Sequence, residues 1–319
     1  MGEKGDHAMA NTDKPPVFSK QGEFQAFIDS IQKAYIVKMG WSSEWFLQRW
    51  PHILEPEYEH LNLTQDVREV VRDWESRHPS LLFPWHKWRG IRSSRNLHSS
   101  QVLCLIALGG FIEKHTQSLE HALMQAGLLE KDETIHEFAF EYEPPNFFGE
   151  PRRTSVDFMV RVGRAGGPTS PIYFEVKFLE AHFGSCSRRS RRLCSGFTTL
   201  PAGEAAQQCL LTREGIRYWE LLPRLMDSET EGLGCPIQGP FYQLARNVLH
   251  LRREEGRAFV VLSDVRAGYI DDELKRFSRA LSPEYRHLVR SIKLQQLVPY
   301  LREANGPAAA LLEEKYGVL

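Results

Sequence analysis

Three side chains in the middle of the chain have the types and spacing needed for metal-assisted hydrolysis of a phosphodiester. Asp157 lies in the alternating segment 154–160, and Glu175 and Lys177 lie two residues apart in the segment 172–178. Side chains of a β-strand alternate between its two faces, so Glu175 and Lys177 share one face and their apolar neighbours share the other. If the two segments pair, two acids and a lysine converge on one patch of sheet.

Two carboxylates held close together favour a divalent cation, because a metal relieves the repulsion between their charges. Mg²⁺ prefers hard oxygen ligands, retains waters and accepts phosphate oxygens, and Mn²⁺ is a possible substitute. A metal-bound water is more acidic than bulk water, and Lys177 could orient it or stabilise charge on the phosphorane. The alternative is a plain ion pair of Glu175 and Lys177. The hydrophobic runs around these charges favour the functional interpretation, since charges in interior strands usually have a function.

The spacing of the two segments predicts an antiparallel hairpin in which Gly163 pairs with Pro171. Asp157 then lies opposite Lys177, and Glu175 is its diagonal neighbour at about 7–8 Å. A change of register by two residues would keep these faces, whereas a change by one would turn Asp157 to the apolar side.

The elements around these residues predict an α/β fold with a mixed central sheet. Strand patterns cover 135–142, 154–162, 171–179 and 258–262, and helical patterns cover 97–129, 202–226 and 239–253. Strands that first meander and are then reached through a helix imply a mixed sheet with helices packed on both faces.

Composition divides the chain into three parts. Residues 1–16 hold almost nothing to bury and are expected to form a disordered tail. Residues 17–95 follow a helical pattern and hold every tryptophan except Trp219, which indicates an aromatic core, with a base-stacking surface as the alternative. Residues 96–319 carry the strands, the candidate site and the C-terminal helices.

Charge and cysteine content restrict the class of protein. The formal net charge is −1, so contact with a polyanion needs a local patch, and residues 151–200 provide one with nine Lys or Arg against three acids. No run of about 18 apolar residues occurs and the N-terminus lacks the apolar stretch of a signal peptide, so we expect a cytoplasmic protein without a membrane partner. The five scattered cysteines are expected to be reduced thiols.

The pattern around the candidate site resembles a known nuclease group. Asp157, a hairpin-length spacing and then Glu-Val-Lys at 175–177 resemble the PD-(D/E)xK superfamily, although Val156 stands where the superfamily name has Pro. The resemblance covers about 90–265 and implies a restriction-endonuclease-like core. Three segments carry a closer likeness to bacterial restriction endonucleases, namely 96–101, 174–178 with 183–184, and 241–247.

The resemblance implies a Mg²⁺-dependent phosphodiesterase. In it, Asp157, Glu175 and the backbone of Val176 would bind the metal, and Lys177 would assist the attacking water.

Further candidates lie on the flanking helices. Members of the superfamily often place another acid on the first core helix, for which Glu113 is the first candidate and Glu120 the second, with a surface carboxylate as the alternative. Gln101 could reach the site from the start of that helix or only cap it. Gln243 and Arg246, on the helix before the last strand, are candidate contacts to nucleic acid. Arg246 could bind phosphate or be only an exposed helix arginine.

An arginine run beyond the candidate strand predicts a phosphate-binding loop. Its members are Arg188, Arg189, Arg191 and Arg192. Each contact with a phosphate would release a condensed counterion, whereas the alternative is a solvated charge run. DNA is therefore the expected partner, and a homodimer is one possible assembly.

The sequence favours a metal-dependent DNA nuclease, in restriction or defence or in repair. The alternative is a catalytically inactive nuclease fold that serves as a DNA-binding or assembly subunit. A helical scaffold built on the tryptophan-rich N-terminal part ranks last, because it leaves the central charges unexplained.

Overall fold

A five-stranded mixed sheet lies at the centre of the protein, flanked by helices. The computed structural model describes residues 15–112, 116–186, 188, 194, 202–227, 235 and 241–318. Most of the expected N-terminal tail, residues 1–14, lies outside this range.

The helices are α1 (Gln21–Lys38), α2 (Gln65–Arg77), α3 (Ser100–Gly109), α4 (Thr116–Gln125), α5 (Ala202–Gln208), α6 (Leu210–Arg213), α7 (Leu222–Leu225), α8 (Tyr242–Arg253), α9 (Gly268–Ala280), α10 (Leu294–Ala304) and α11 (Gly306–Tyr316). The strands are β1 (Phe46–Leu47), β2 (Trp50–Leu54), β3 (Lys87–Trp88), β4 (Ile91–Arg92), β5 (Thr134–Tyr142), β6 (Val156–Gly163), β7 (Thr169–Lys177), β8 (Ala258–Ser263) and β9 (Val289–Lys293). Short 3-10 helices cover Ser43–Trp45, Pro56–Leu61, Ser93–Arg95, Tyr218–Glu220 and Pro283–Leu288.

The large sheet has the strand order β5-β6-β7-β8-β9. The first three strands form an antiparallel meander, and β8 and β9 add to it in parallel. The predicted α/β class and mixed sheet are therefore confirmed. The sequence analysis missed β9, whose buried apolar residues are only Val289 and Ile292. Within the described part of the chain, no helix combines the length and apolar character needed to cross a membrane.

The turn between β6 and β7 is tighter than predicted. Gly163 pairs with Thr169, so the expected pairing with Pro171 was wrong by two residues. A Cβ atom on Gly163 would lie 2.6 Å from the carbonyl oxygen of Pro168, so only glycine fits this turn. Because the difference is two, every side chain stays on its predicted face.

The helical pattern over 97–129, predicted to break near Gly109 and Gly110, forms two helices, since α3 ends at Gly109 and α4 begins at Thr116. The side chain of Ser99 accepts a hydrogen bond from the Val102 amide at 3.1 Å and caps α3. A Cβ atom on Gly110 would lie 2.6 Å from the Leu301 side chain. The chain therefore leaves α3 at a point where α10 packs closely against its backbone.

A buried polar cluster fixes the loop between β5 and β6 against α8. The Glu150 carboxylate accepts hydrogen bonds from the Thr154 amide at 3.2 Å, from the Tyr218 hydroxyl and from His250 Nε2 at 3.2 Å. His250 lies on α8. The loop, the start of β6 and α8 are consequently held in one arrangement.

The N-terminal region has a small core of its own. Trp45 stacks on Tyr58 with ring centroids 4.9 Å apart, and Trp41 packs against Phe46. Leu54 and Phe46 are buried at the centre of this cluster. These contacts confirm the aromatic-core interpretation for the first two tryptophans.

A buried lysine joins the C-terminal helix to the N-terminal region. Lys315 on α11 is 1% exposed, and its Nζ donates a hydrogen bond to Asn62 Oδ1. Burial lowers the pKa of Lys315 to about 7.

We expect Lys315→Met to remove a pH dependence from the free energy of unfolding. Between pH 7 and 10.5 the unfolded chain binds more protons at Lys315 than the folded chain, so the folded wild type gains up to about 5 kcal/mol as the pH rises through this window. Below pH 7 the buried lysine is charged in the folded protein, so the whole destabilisation caused by burying that charge is present. Urea denaturation of both proteins should therefore show the advantage of the variant shrinking from pH 7 to 10, and a constant difference would contradict this account.

Candidate active site

Three buried carboxylates form a row across neighbouring strands. The strand pairs on either side of Glu141 place it opposite Asp157. Continuing the pairing of β6 and β7 by one residue places Asp157 opposite Glu175. The exposed fractions of Glu141, Asp157 and Glu175 are 8%, 8% and 3%. We call this set the carboxylate row.

Burial and mutual repulsion together determine the electrostatics of the carboxylate row. Burial, and then the charges of Glu175 and Glu141, hold the pKa of Asp157 well above its usual range. Lys177 and His86 act in the opposite direction without cancelling the effect. Ionisation of Asp157 is therefore opposed by its burial and by its neighbouring acids, and a bound divalent cation would relieve both effects.

Helix α8 holds one end of the row. Lys177 Nζ lies 3.0 Å from Glu175 Oε1 and donates a hydrogen bond to Gln243 Oε1 at 2.9 Å. Gln243 Nε2 donates to Glu175 Oε1 at 2.6 Å, and Asn247 Nδ2 donates to Glu175 Oε2 at 3.3 Å. Gln243 and Asn247 are one turn apart on α8, so both reach Glu175. The sequence analysis named Gln243 as a contact to nucleic acid, whereas here it binds Glu175 and Lys177, and it missed Asn247.

Lys177 carries its charge in spite of its burial. Burial alone would lower the pKa of Lys177, but the charges of Glu175, Glu180 and Asp157 more than offset this effect, so the pKa lies above the usual value. The ammonium also lies 5.5 Å from the ring centroid of Phe183. The lysine is therefore a fixed cation beside the row.

The backbone of β7 adds an oxygen donor. The Val176 amide donates a hydrogen bond to Asp157 Oδ2 at 2.7 Å. In a strand the amide and carbonyl of one residue lie on the same edge, so the Val176 carbonyl lies on the side of Asp157. Carboxylate and carbonyl oxygens are the ligand types that Mg²⁺ and Mn²⁺ accept, so this donor set fits such an ion.

Each carboxylate of the row is bound to protein donors in this structure. Among the described residues, no group of three His, Cys, Asp or Glu side chains is arranged closely enough to hold a metal ion as it stands. The fit with a metal consequently rests on donor type and charge.

Gln101 and His86 hold the other end of the row. Gln101 Nε2 donates a hydrogen bond to Glu141 Oε1, and His86 Nε2 lies 3.6 Å from Glu141 Oε2. The carboxylate of Glu141 is the main cause that raises the pKa of His86 to about 9. Gln101 therefore reaches the row through Glu141, while Ser99 caps the helix.

Glu141 is a site residue that the sequence analysis missed. Its φ of 48° lies in the left-handed region, which is uncommon outside glycine and often marks functional sites. A polar face formed by Glu137, Ala139 and Glu141 resembles a solvated strand face in the sequence. Burial of Glu141 arises from Gln101, which is 40 residues away in the chain.

Two other candidates lie away from the row. Glu120 accepts a hydrogen bond from the Ile135 amide at 2.7 Å. Ile135 is near the start of β5, whereas Glu141 is near its end. The Arg246 guanidinium lies 5.3 Å from the Tyr242 ring centroid and interacts electrostatically with Glu150.

The structure bears on one member of the predicted arginine loop. Arg188 forms an ion pair with Glu214, so in this structure its guanidinium binds a protein carboxylate. Four predicted residues lie outside the described residues, namely Glu113, Arg189, Arg191 and Arg192.

Comparisons with known proteins place the chain in a family. No curated protein and no solved structure shows significant similarity to it. A family model described as Restriction Endonuclease associating with ARP matches residues 24–317, which is nearly the whole chain. The chain therefore belongs to this restriction-endonuclease family.

Proposed function

We propose that this protein is a metal-dependent deoxyribonuclease that hydrolyses phosphodiester bonds at the carboxylate row. The observation that carries the proposal is the row itself, three buried acids on adjacent strands with Lys177 beside them. The family description supports DNA as the substrate and restriction as the biological setting. Cytoplasmic location is part of the same proposal.

The acids of the row, together with a backbone carbonyl, would bind the metal ion. Asp157, Glu175 and the Val176 carbonyl would hold Mg²⁺ or Mn²⁺, with Glu141 as the further acid. The bound ion supplies Lewis acidity and a water of lowered pKa.

Lys177 is fixed by Glu175 and Gln243, so its ammonium can orient the attacking water or stabilise charge on the phosphorane without reorganising. Gln243 and Asn247 set the orientation of Glu175 through their hydrogen bonds. These two amides are positioning residues, since they act through the acid.

Incubation of the purified protein with supercoiled plasmid and Mg²⁺ should produce nicked or linear DNA. EDTA should stop the reaction, and an Asp157→Asn preparation made in parallel should be inactive, which excludes a contaminating nuclease. Linear and single-stranded DNA in the same series would separate endonuclease from exonuclease activity. Absence of cleavage on every form of DNA with both Mg²⁺ and Mn²⁺ would contradict the proposal.

Metal binding can be measured without activity. Because an ion that binds only the folded state stabilises it, a concentration of 100 times Kd should add about 2.7 kcal/mol to the free energy of unfolding. The wild type should gain thermal stability from Mg²⁺ or Mn²⁺, and Asp157→Asn should gain less. An inactive DNA-binding subunit, the alternative function, would bind DNA without cleaving it under any of these conditions.

A further inference from the structure

A cleft of about 390 Å³ opens beside the carboxylate row, between the N-terminal region and the end of β7. Gln101 and His86 line this cleft, and the same two residues contact Glu141. Lys87 and Arg92, on strands β3 and β4, also line it. The cleft is therefore continuous with the surroundings of the row.

The wall formed by β3 and β4 is strongly basic. Residues 76–112 contain five Lys or Arg and no Asp or Glu. Lys87 pairs directly with Arg92, so both side chains lie on one face of the hairpin, and both are exposed. Neither forms an ion pair with a carboxylate of the described residues. Like charges directly opposite each other destabilise a hairpin, so an external anion between them would be favourable.

The basic hairpin is held in a defined position. Its two turn residues, Arg89 and Gly90, have φ of 50° and 81°, as expected for a tight two-residue turn. The guanidinium groups of Arg89 and Arg49 lie 5.9 Å and 5.1 Å from the ring centroid of Trp50. A preorganised cationic surface binds an anion with little loss of conformational entropy.

The other groups that line the cleft leave this positive charge in excess. His86 faces the row, with its Nε2 3.6 Å from Glu141 Oε2, so Lys87 and Arg92 are the cations that this wall presents to the cleft. Burial lowers the pKa of both His52 and His98, the latter to about 4, so these rings are neutral. The acid among the lining residues is Glu180, which accepts a hydrogen bond from a backbone amide at 2.8 Å.

We propose that this cleft binds the DNA backbone next to the cleaved phosphodiester, with Lys87 and Arg92 as ligands of its phosphates. Cations beside a row of acids suit a polyanionic strand, since they offset the repulsion that the acids exert on the neighbouring phosphates. The reference to cleavage rests on the proposed function, whereas the binding itself does not.

Fluorescence anisotropy with a labelled DNA duplex, in EDTA and again in Ca²⁺, tests the binding directly. Lys87→Ala/Arg92→Ala should raise Kd about tenfold or more and should reduce the slope of log K against log salt by about 1.8, the value for two lost phosphate contacts. The matched control is Lys275→Ala/Arg276→Ala on α9, which removes the same charge from exposed residues outside the cleft. The control should keep the slope of the wild type.

A second variant distinguishes a loss of DNA binding from a loss of folding. Arg92→Glu replaces a repulsive cross-strand pair with an attractive one, so the hairpin should be at least as stable while DNA binding falls. Thermal unfolding of each variant accompanies the anisotropy series.

The inference and the proposed function fail separately. If wild type and Lys87→Ala/Arg92→Ala share one Kd and one salt slope, or if wild type binds no duplex in either buffer, the cleft proposal is overturned even when DNA is cleaved. If binding depends on these two residues but no metal supports cleavage, the cleft proposal stands and the nuclease proposal fails.

Discussion

Replacing Asp157 with asparagine should abolish cleavage and leave the folded protein at least as stable as wild type. Because we propose that this carboxylate binds the metal, its loss should lower the cleavage rate by about 10³-fold or more. Stability should rise by about 1 kcal/mol, because a buried charge leaves a row in which Glu141 and Glu175 repel it. Asparagine keeps the shape of the side chain and an oxygen that can accept from the Val176 amide.

Urea denaturation in EDTA at two pH values measures this effect. A carboxyl whose folded pKa is raised destabilises the protein once the pH exceeds its ordinary pKa, here near 3.8. The advantage of Asp157→Asn should therefore be present at neutral pH and lost in acid, where wild type is protonated in both states. A variant that unfolds at neutral pH would instead indicate that Asp157 is part of a stabilising ion pair.

Replacing Lys177 with methionine should also abolish cleavage, but with the opposite effect on stability. Lys177 is 6% exposed, and its ammonium is 3.0 Å from Glu175. Removing one member of a buried ion pair leaves an uncompensated charge, at a cost of about 3–5 kcal/mol. Chemical denaturation of the apo protein measures this cost.

The double variant Glu175→Gln/Lys177→Met separates charge from packing. Because it removes both charges, it should recover much of the stability that Lys177→Met loses, and it should stay inactive. Unchanged stability of Lys177→Met alone would show that the pair is solvated, against the burial described above.

Alternation along β6 and β7, with the parity of the pairing between them, places the main candidates. Glu175 and Lys177 are two positions apart on one strand, so they share a face. Asp157 alternates with its apolar neighbours on the other strand, so it lies on the polar face there. The structure confirms that assignment, since Asp157 and Glu175 meet across the two strands. Their roles in catalysis and metal binding stay predictions.

The register of the hairpin could not be obtained in the same way. A change by two residues preserves every face, so the apolar pattern is identical for both pairings. The choice is made by the turn, where Gly163 and Pro168 approach closely and Gly166 has a φ of 71°. Turn geometry of this kind depends on backbone conformations that the order of residues does not state.

Local sequence patterns could not predict the site residues that are buried by distant segments of the chain. Glu141 is covered by Gln101 and His86, which precede it by 40 residues or more. The positions on its face of β5 are mostly polar, so the strand itself gives no indication of burial. Asn247 follows the same rule, since it reaches Glu175 from 72 residues away.

The order in which the sheet is connected has a consequence for protein synthesis. The hairpin with Asp157 and Glu175 is complete at Lys177, but Gln243 follows 66 residues later, and β8 comes after it. A ribosome needs about 3–13 s to add that length of chain. During this interval the nascent chain holds Asp157 and Glu175 without the helix whose amides orient Glu175, so the carboxylate row takes its final arrangement only after α8 has been synthesised.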